Sequence, residues 1–375
     1  MVGPVAQSFD VAVVGAGICG LAHALAAVRR GKRVVVIDRD AQANGASVRN
    51  FGFITVTGQQ AGQCWHRAMR SRDIWADVAP QAGIDVVHRG LVVAARRPEA
   101  RAVLEAFRDT KMGEDCELVY GSAARSRFPL LNDVAAALYS PHELRVESRT
   151  AIPKLATWLA EAHGVTFLRG TAVHSVAPPV IETSAGTVHA EAAIVCPGDD
   201  FTGLFADRLA AYGLTRCKLH MMRVAPIASR VTCGVMSDLG LVRYLGYAEL
   251  PEAAALRRVL EAEQGEHLAN GVHLIVVAST DGSLVVGDSH HYAATPDPFA
   301  PERVDELILD EMRAVMRVSD ITVTERWTGT YASAPDRLAL IDRPADGVRL
   351  VLITSGTGAS TSFAIAEETV ADLYG

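Results

Sequence analysis

The sequence predicts an α/β protein, a dinucleotide-binding βαβ domain joined to a β-rich second domain, and three observations carry that reading. Residues 10–38 read as strand, glycine turn, helix and a second strand ending on an acid. Residues 214–290 turn β-rich and lack a glycine fingerprint. Residues 348–373 repeat the order strand, glycine loop, helix far from the first.

In the first run, Asp10-Val11-Ala12-Val13-Val14 leads into Gly15-Ala16-Gly17-Ile18-Cys19-Gly20. Helix formers over 21–30 stop at Gly31, and the apolar stretch 33–37 ends on Asp38. Asp38 lies eighteen residues past Gly20, close to the roughly 20 expected of a ribose-binding acid. Gly15 permits the tight turn, Gly17 admits a pyrophosphate to the main chain, and Gly20 lets helix and strand pack closely. The helix start then turns free N–H groups and a positive dipole end toward phosphate. A carboxylate at Asp38 accepts ribose hydroxyls and repels a 2′-phosphate, which disfavours NADP. A lone fingerprint is often a plain turn; the strand, helix and acid around this one favour the nucleotide. FAD and NAD share the pattern, so it does not choose between them.

A chain of 375 residues suggests two domains, or one with a large insertion. With 49% hydrophobic and 21% charged residues it has ordinary globular composition. A net charge of −7 offers no basic field, which argues against nucleic acid or an anionic membrane as partner. Cys19, Cys64, Cys116, Cys196, Cys217 and Cys233 form no CxxC pair. Neither a metal site nor a disulfide framework is expected, and reduced thiols in a cytoplasm fit best. Residues 11–28 are nearly apolar, but Asp10, three glycines and His23 mark a buried βα unit rather than a leader or a span.

After Arg39, the loop 45–52 brings Ala46, Ser47, Arg49, Asn50, Phe51 and Gly52 together. It suits close approach to a ligand and equally a surface turn. Residues 53–56 are strand-prone, and 61–78 read as a helix whose Trp65, Met69 and Trp75 are core. Strands over 86–95 and 117–120 flank a charged helix over 98–112. An amphipathic helix over 151–163, with Pro153 near its start, precedes short strands over 165–168, 172–176, 180–183, 187–189 and 192–196. The last ends Cys196-Pro197-Gly198, a further place where backbone can meet a cofactor. Longer strands follow over 218–224, 273–279 and 283–286, then a helix over 301–316 and strands over 321–327 and 348–354. Ser355-Gly356-Thr357-Gly358-Ala359-Ser360-Thr361 then opens a helix over 362–373, a second positive dipole end.

In this order the motifs resemble the D-amino-acid oxidase superfamily, more closely its glycine oxidase and sarcosine oxidase branch, over nearly the whole chain. The residues that carry the likeness are the fingerprint with Asp38-Arg39, the loop from Ala46-Ser47 to Gly52, the strand around Val173, Val195-Cys196-Pro197-Gly198, residues 327–336 and the glycine tail. The resemblance implies a Rossmann-like FAD-binding domain of 1–85, 143–213 and 325–375. Interleaved with it would be a β-rich substrate domain of 86–142 and 214–324. It also implies that Val173 faces the adenine, Ser47 the pyrophosphate, and Arg49 to Gly52 the flavin edge. Residues 356–361 would lie by the flavin's pyrimidine end, where Gly356, Thr357 and Gly358 stabilise the negative charge of the reduced ring. Non-covalent FAD is expected, because no cysteine lies beyond Cys233, where sarcosine oxidase types attach theirs.

The departures point to the substrate. Relatives that bind amino acids carry an Arg-Pro pair shortly after the tryptophan, to grip a carboxylate; the matching positions here are Tyr331 and Ala332, and the tail loop has no arginine. Arg49, Arg223, Arg337 and the pair His290-His291 remain as candidates to hold an anionic group, with Tyr331 as wall or core. The histidine pair reads equally as a surface turn. Stretches 47–52 and 287–291 are similar to those of a branch associated with phosphonate breakdown. The expected reaction is oxidation of a small amine to an imine that hydrolyses to an aldehyde or keto product, with oxygen or another acceptor taking the electrons. The preferred substrate class is an aminoalkylphosphonate, and no side-chain base is required. The alternatives are a glycine or sarcosine type oxidase, an amine dehydrogenase using a non-oxygen acceptor, and a flavin-binding protein without turnover.

Overall fold

In the computed structural model, which describes residues 8–375, four strands of the first sheet lie side by side and parallel. Their order is Val34–Ile37, Ser8–Val14, Gly186–Val195, Val348–Ile353. Val34–Ile37 and Val348–Ile353 are buried nearly throughout. A sheet covered on both faces needs apolar residues on both, which is why these strands read as continuous runs. Thr166–Leu168 and Ala339–Ala345 form the edges, and a hairpin of Val173–Ala177 and Val180–Thr183 leaves Gly186–Val195. Helices Ile18–Arg29, Ser148–His163 and Gly358–Tyr374 share one core with this sheet, built on Leu21, Leu25, Leu155, Leu159 and Phe363.

The second sheet has ten strands. Thr215–Val224 is central to one end of it, flanked by Leu284–Gly287, His291–Ala293 and Val323–Ser333, all antiparallel. Val86–Ala95 and Ala136–Val146 carry the other end. Helices Pro98–Arg108, Ala253–Glu263 and Glu302–Val315 bury Leu104, Phe107, Leu256, Leu260, Ile308 and Met312 in the core of this sheet. Among the described residues no helix is long and apolar enough to cross a membrane.

Among the elements that differ from the sequence reading, three bear on the site; helices Gly121–Arg127 and Ala253–Glu263 and strand Ala339–Ala345 have no counterpart in it at all. Residues 187–189 and 192–196 belong to one strand, Gly186–Val195. Ala136–Val146 is a strand that the sequence reading does not assign; its ladder skips Pro141-His142-Glu143, from Ser140 opposite Leu91 to Leu144 opposite Arg89. Proline is tolerated at such a bulge because no ladder N–H is needed there. Val323–Ser333 runs six residues past 327 and is hydrogen-bonded to Thr215–Val224 in the second sheet. Phe53–Ile54 likewise pairs with Ala136–Val146.

Register places the site. Val14 stands opposite both Ile37 and Val195, so Gly15, Asp38 and Cys196 leave the sheet together at its carboxyl edge. The chain departs from the middle strand in opposite senses at that point, where open α/β sheets leave a crevice.

Candidate active site

At this crevice a cavity of about 650 Å³ opens, within the range of small-molecule sites. One end is made of backbone. Gly15 has φ +102°, and a Cβ there would meet Cys196 O at 2.5 Å. A Cβ on Gly17 would come within 2.9 Å of Ser47 Oγ, which accepts the Ile18 N–H at 2.9 Å. Asp38 stands on the wall with its carboxylate accepting the N–H groups of Ala16, at 2.5 Å, and Asp40, at 2.8 Å. Arg39 is tied to Asp200 at 2.8 Å.

The second glycine turn reaches the first. A Cβ on Gly358 would sit 3.6 Å from Ile18 Cγ2. Two bonds fix the start of Gly358–Tyr374: Ser360 Oγ accepts the Thr55 N–H at 2.9 Å, and Trp75 Nε1 donates to Ala359 O at 2.8 Å. Gly358 and Ala359 line the cavity, and their own N–H groups find no acceptor among the described residues. Free donors at a helix start are an anion site by geometry and dipole together.

The other end is made of side chains. Ile275 lies opposite Gly287 in the ladder, and the pairing continues outward so that His273 and Asp288 exchange backbone hydrogen bonds of 3.2 and 3.1 Å. Their side chains meet as well: His273 Nδ1 is 3.2 Å from Asp288, and His290 Nε2 is 3.6 Å from its other oxygen. Burial pushes the Asp288 carboxyl up to about 8 and drives both imidazoles well below their usual value. The three are therefore uncharged at neutral pH. Tyr244 OH lies 3.3 Å from His273 Nε2. Arg243 donates to Tyr292 OH at 2.8 Å and has no carboxylate in ion-pair range among the described residues. Tyr331 joins the two ends: a Cβ on Gly356 would touch its ring at 3.0 Å, and its ring centroid is 6.5 Å from that of His290.

Most of the candidates named from sequence line this cavity: Gly15, Gly17, Ile18, Cys19, Gly20, Asp38, Arg39, Ala46, Ser47, Arg49, Asn50, Phe51, Val173, Gly198, His290, Tyr331, and Gly356 through Ser360. Five lie outside it. Gly52 is a packing glycine, where a Cβ would strike Val146 O at 1.9 Å. Thr361 turns into its helix and donates to Thr357 O at 3.0 Å. His291 begins a strand, and alternation turns it away from His290 toward His220, 5.8 Å between rings. Arg223 is held by Ser283 at 2.7 Å and Ser279 at 3.0 Å. Arg337 lies on Asp336 at 2.9 Å and over the Tyr212 ring.

Sequence reasoning missed Arg243, Tyr244, His273 and Tyr292, and took Asp288 only as part of a turn. A signal did exist for one of them. Arg243-Tyr244 interrupts the apolar run 239–247, and a charge inside an apolar run is buried only for a reason.

The chain belongs to the family described as FAD dependent oxidoreductase (DAO), which it matches over residues 10–372. FAD is accordingly its cofactor, and the cavity suits it: bare glycines where phosphate must approach, a carboxylate at Asp38, and free N–H groups at Gly358 and Ala359. The bifunctional protein ThiO/ThiG of Nostoc sp. is 23% identical over 349 residues, 88% of this chain and 47% of that protein. Glycine oxidase of Geobacillus kaustophilus is 26% identical over 219 residues, 54% of this chain and 56% of that one. The chain thus spans about half the length of these curated relatives. The crystal structure of glycine oxidase from Bacillus cereus shares the fold with a TM-score of 0.78 at 17% identity, over 98% of this chain and 95% of that one.

Proposed function

We propose that the protein oxidises a small amine bearing an anionic group to an imine, which hydrolyses to an aldehyde or keto product. The substrate class we propose is an aminoalkylphosphonate, 2-aminoethylphosphonate or its N-methyl form. FAD, when bound, supplies the two-electron acceptor. Gly15, Gly17, Gly20 and Ser47 would hold its pyrophosphate, Asp38 its ribose, and Val173 and Gly198 would border it. The free N–H groups of Gly358 and Ala359 would steady the negative charge that arrives with the electrons.

The observation that carries the substrate reading is Arg243, a guanidinium on the cavity wall with no carboxylate in ion-pair range among the described residues. Such a group calls for an anion from outside. The neighbouring His273, Asp288 and His290 are uncharged near neutrality and do not repel one. A planar carboxylate is satisfied by one arginine fork, whereas a tetrahedral head group takes donors from several directions. Arg243, Tyr244, Tyr292 and His290 stand around the cavity in that way. Arg49, whose guanidinium bonds only Asn44 Oδ1, at 3.0 Å, among the described residues, is a second uncommitted cation on the wall. Desolvation in the cavity favours the neutral amine that oxidation requires.

Anaerobic mixing of the purified flavoprotein with glycine, sarcosine, 2-aminoethylphosphonate and its N-methyl form tests the reading. Bleaching by a phosphonate supports it; bleaching by glycine or sarcosine alone removes the phosphonate assignment, and bleaching by none removes turnover of this kind. Hydrogen peroxide release in air then separates oxygen from other acceptors.

A further inference from the structure

The cysteines, unremarkable by spacing, are brought together in one place. Cys19 is the second residue of Ile18–Arg29, and Cys196 is the residue after Gly186–Val195, its N–H donating to Val14 O at 2.8 Å. One turn along the same helix, His23 is fully buried. Its Nδ1 lies 3.9 Å from Cys19 Sγ and 3.8 Å from Cys196 Sγ, and the three atoms are within 4.8 Å of one another. Both cysteines line the cofactor cavity. The backbone of Cys196 already abuts the first glycine turn, so the two sulfurs cannot drift apart.

The cluster could hold a metal ion or make a bond between its sulfurs, and His23 decides. Its Nδ1 is 2.7 Å from Cys19 O. A carbonyl only accepts, so Nδ1 carries the hydrogen and has no lone pair to offer a metal. Two thiols remain, their sulfurs within 4.8 Å of each other.

We infer that Cys19 and Cys196 are a redox-active pair in the floor of the FAD site, which a hydroperoxide closes to a disulfide when FAD is not in place. The Cys19 thiolate attacks one peroxide oxygen, the O–O bond breaks, and the leaving oxygen takes a proton; Cys19 is now a sulfenic acid. The Cys196 sulfur then attacks the Cys19 sulfur, S–S forms, S–O breaks and water leaves. Two thiols lose two electrons and the peroxide gains them.

Selectivity follows from environment. The hydrogen bond from Cys196 holds the Cys19 thiol well below its usual range, and the helix start works in the same direction. Burial pushes Cys64, Cys217 and Cys233 up to about 11 and Cys116 to about 12, which leaves them inert. The pair sits against the glycine turn where the pyrophosphate is to lie, so bound FAD covers it. Drawing the sulfurs to a bond of about 2.05 Å shifts the first turn of the helix and spoils that seat.

The test compares FAD-loaded protein with the same protein stripped of FAD, each treated with hydrogen peroxide. Stripped protein should lose two of its six thiols, yield a cross-linked peptide pair containing Cys19 and Cys196, and refuse FAD until dithiothreitol is added. Loaded protein should keep all six. In Cys196→Ser the sulfenic acid on Cys19 should persist and be trapped by dimedone; in Cys19→Ser no thiol should be lost. Either variant alone suffices if the other fails to fold. Absence of the cross-link in stripped protein, its formation at equal rate under bound FAD, or undiminished FAD uptake by the oxidised form each overturns the proposal.

Discussion

The two ends of the cavity are made in different ways. The end proposed for the cofactor is largely backbone: glycines without Cβ atoms and main-chain N–H groups left over at two helix starts. The end proposed for the substrate is side chains, contributed by the turn at Arg243, two strand ends at His273 and Asp288, the edge strand at Tyr292 and the long strand at Tyr331. A Cβ on Gly15 or Gly20 would strike backbone at once, whereas side-chain sites lose energy one contact at a time. Substitutions on the two ends should therefore fail differently.

The sharpest contrast comes from Gly20→Ala, whose Cβ would lie 1.8 Å from Gly15 O. Backbone there cannot yield, so a cost above about 4 kcal/mol is expected, with loss of flavin absorbance from any soluble protein. Next is Arg243→Gln, expected to lower kcat/KM for an anionic amine roughly a hundredfold, about 3 kcal/mol, with flavin content unchanged. If flavin content falls instead, the two ends are not separable.

A smaller effect should appear with pH. Asp288 is neutral below about 8 and becomes an anion beside Arg243 above it, so KM should climb, on the order of tenfold, as pH rises through that value. Asp288→Asn should flatten the rise. The sign for stability is the same: a carboxyl raised from 3.8 in the unfolded chain keeps its proton longer when folded. Its contribution is whole below about pH 4 and lost as pH rises through 8, a trend that thermal unfolding of wild type and Asp288→Asn should reveal. Smallest is the split between the two histidines. His290→Gln should raise KM several-fold, roughly 1 kcal/mol, while His291→Ala and Arg223→Ala stay within about twofold.

The same contrast explains what could be read from sequence. A glycine fingerprint is local, since its geometry is dictated by residues a few positions apart, and so residues 10–38 and 348–373 announced both turns. Their meeting came from resemblance, not from spacing. Arg243 and Asp288 come together only in the folded chain: the interrupted apolar run 239–247 marks Arg243, and nothing local marks Asp288 as its neighbour. His290 and His291 were indistinguishable in sequence, because which face each takes depends on where the strand begins. Ala136–Val146 is not assigned from sequence; Pro141 interrupts its pattern, and the bulge that accommodates it shows only in the ladder. Cys19 and Cys196 are silent for the simplest reason: no motif links residues so far apart.

The bonds from Thr55 to Ser360 and from Trp75 to Ala359 carry a consequence for biosynthesis. While the polypeptide is still emerging from the ribosome, the nucleotide-binding turn is folded or folding without the helix that completes it. The turn is therefore complete only after residues 358–360 have been synthesised and docked, so a nascent chain that lacks them lacks the free N–H groups of Gly358 and Ala359.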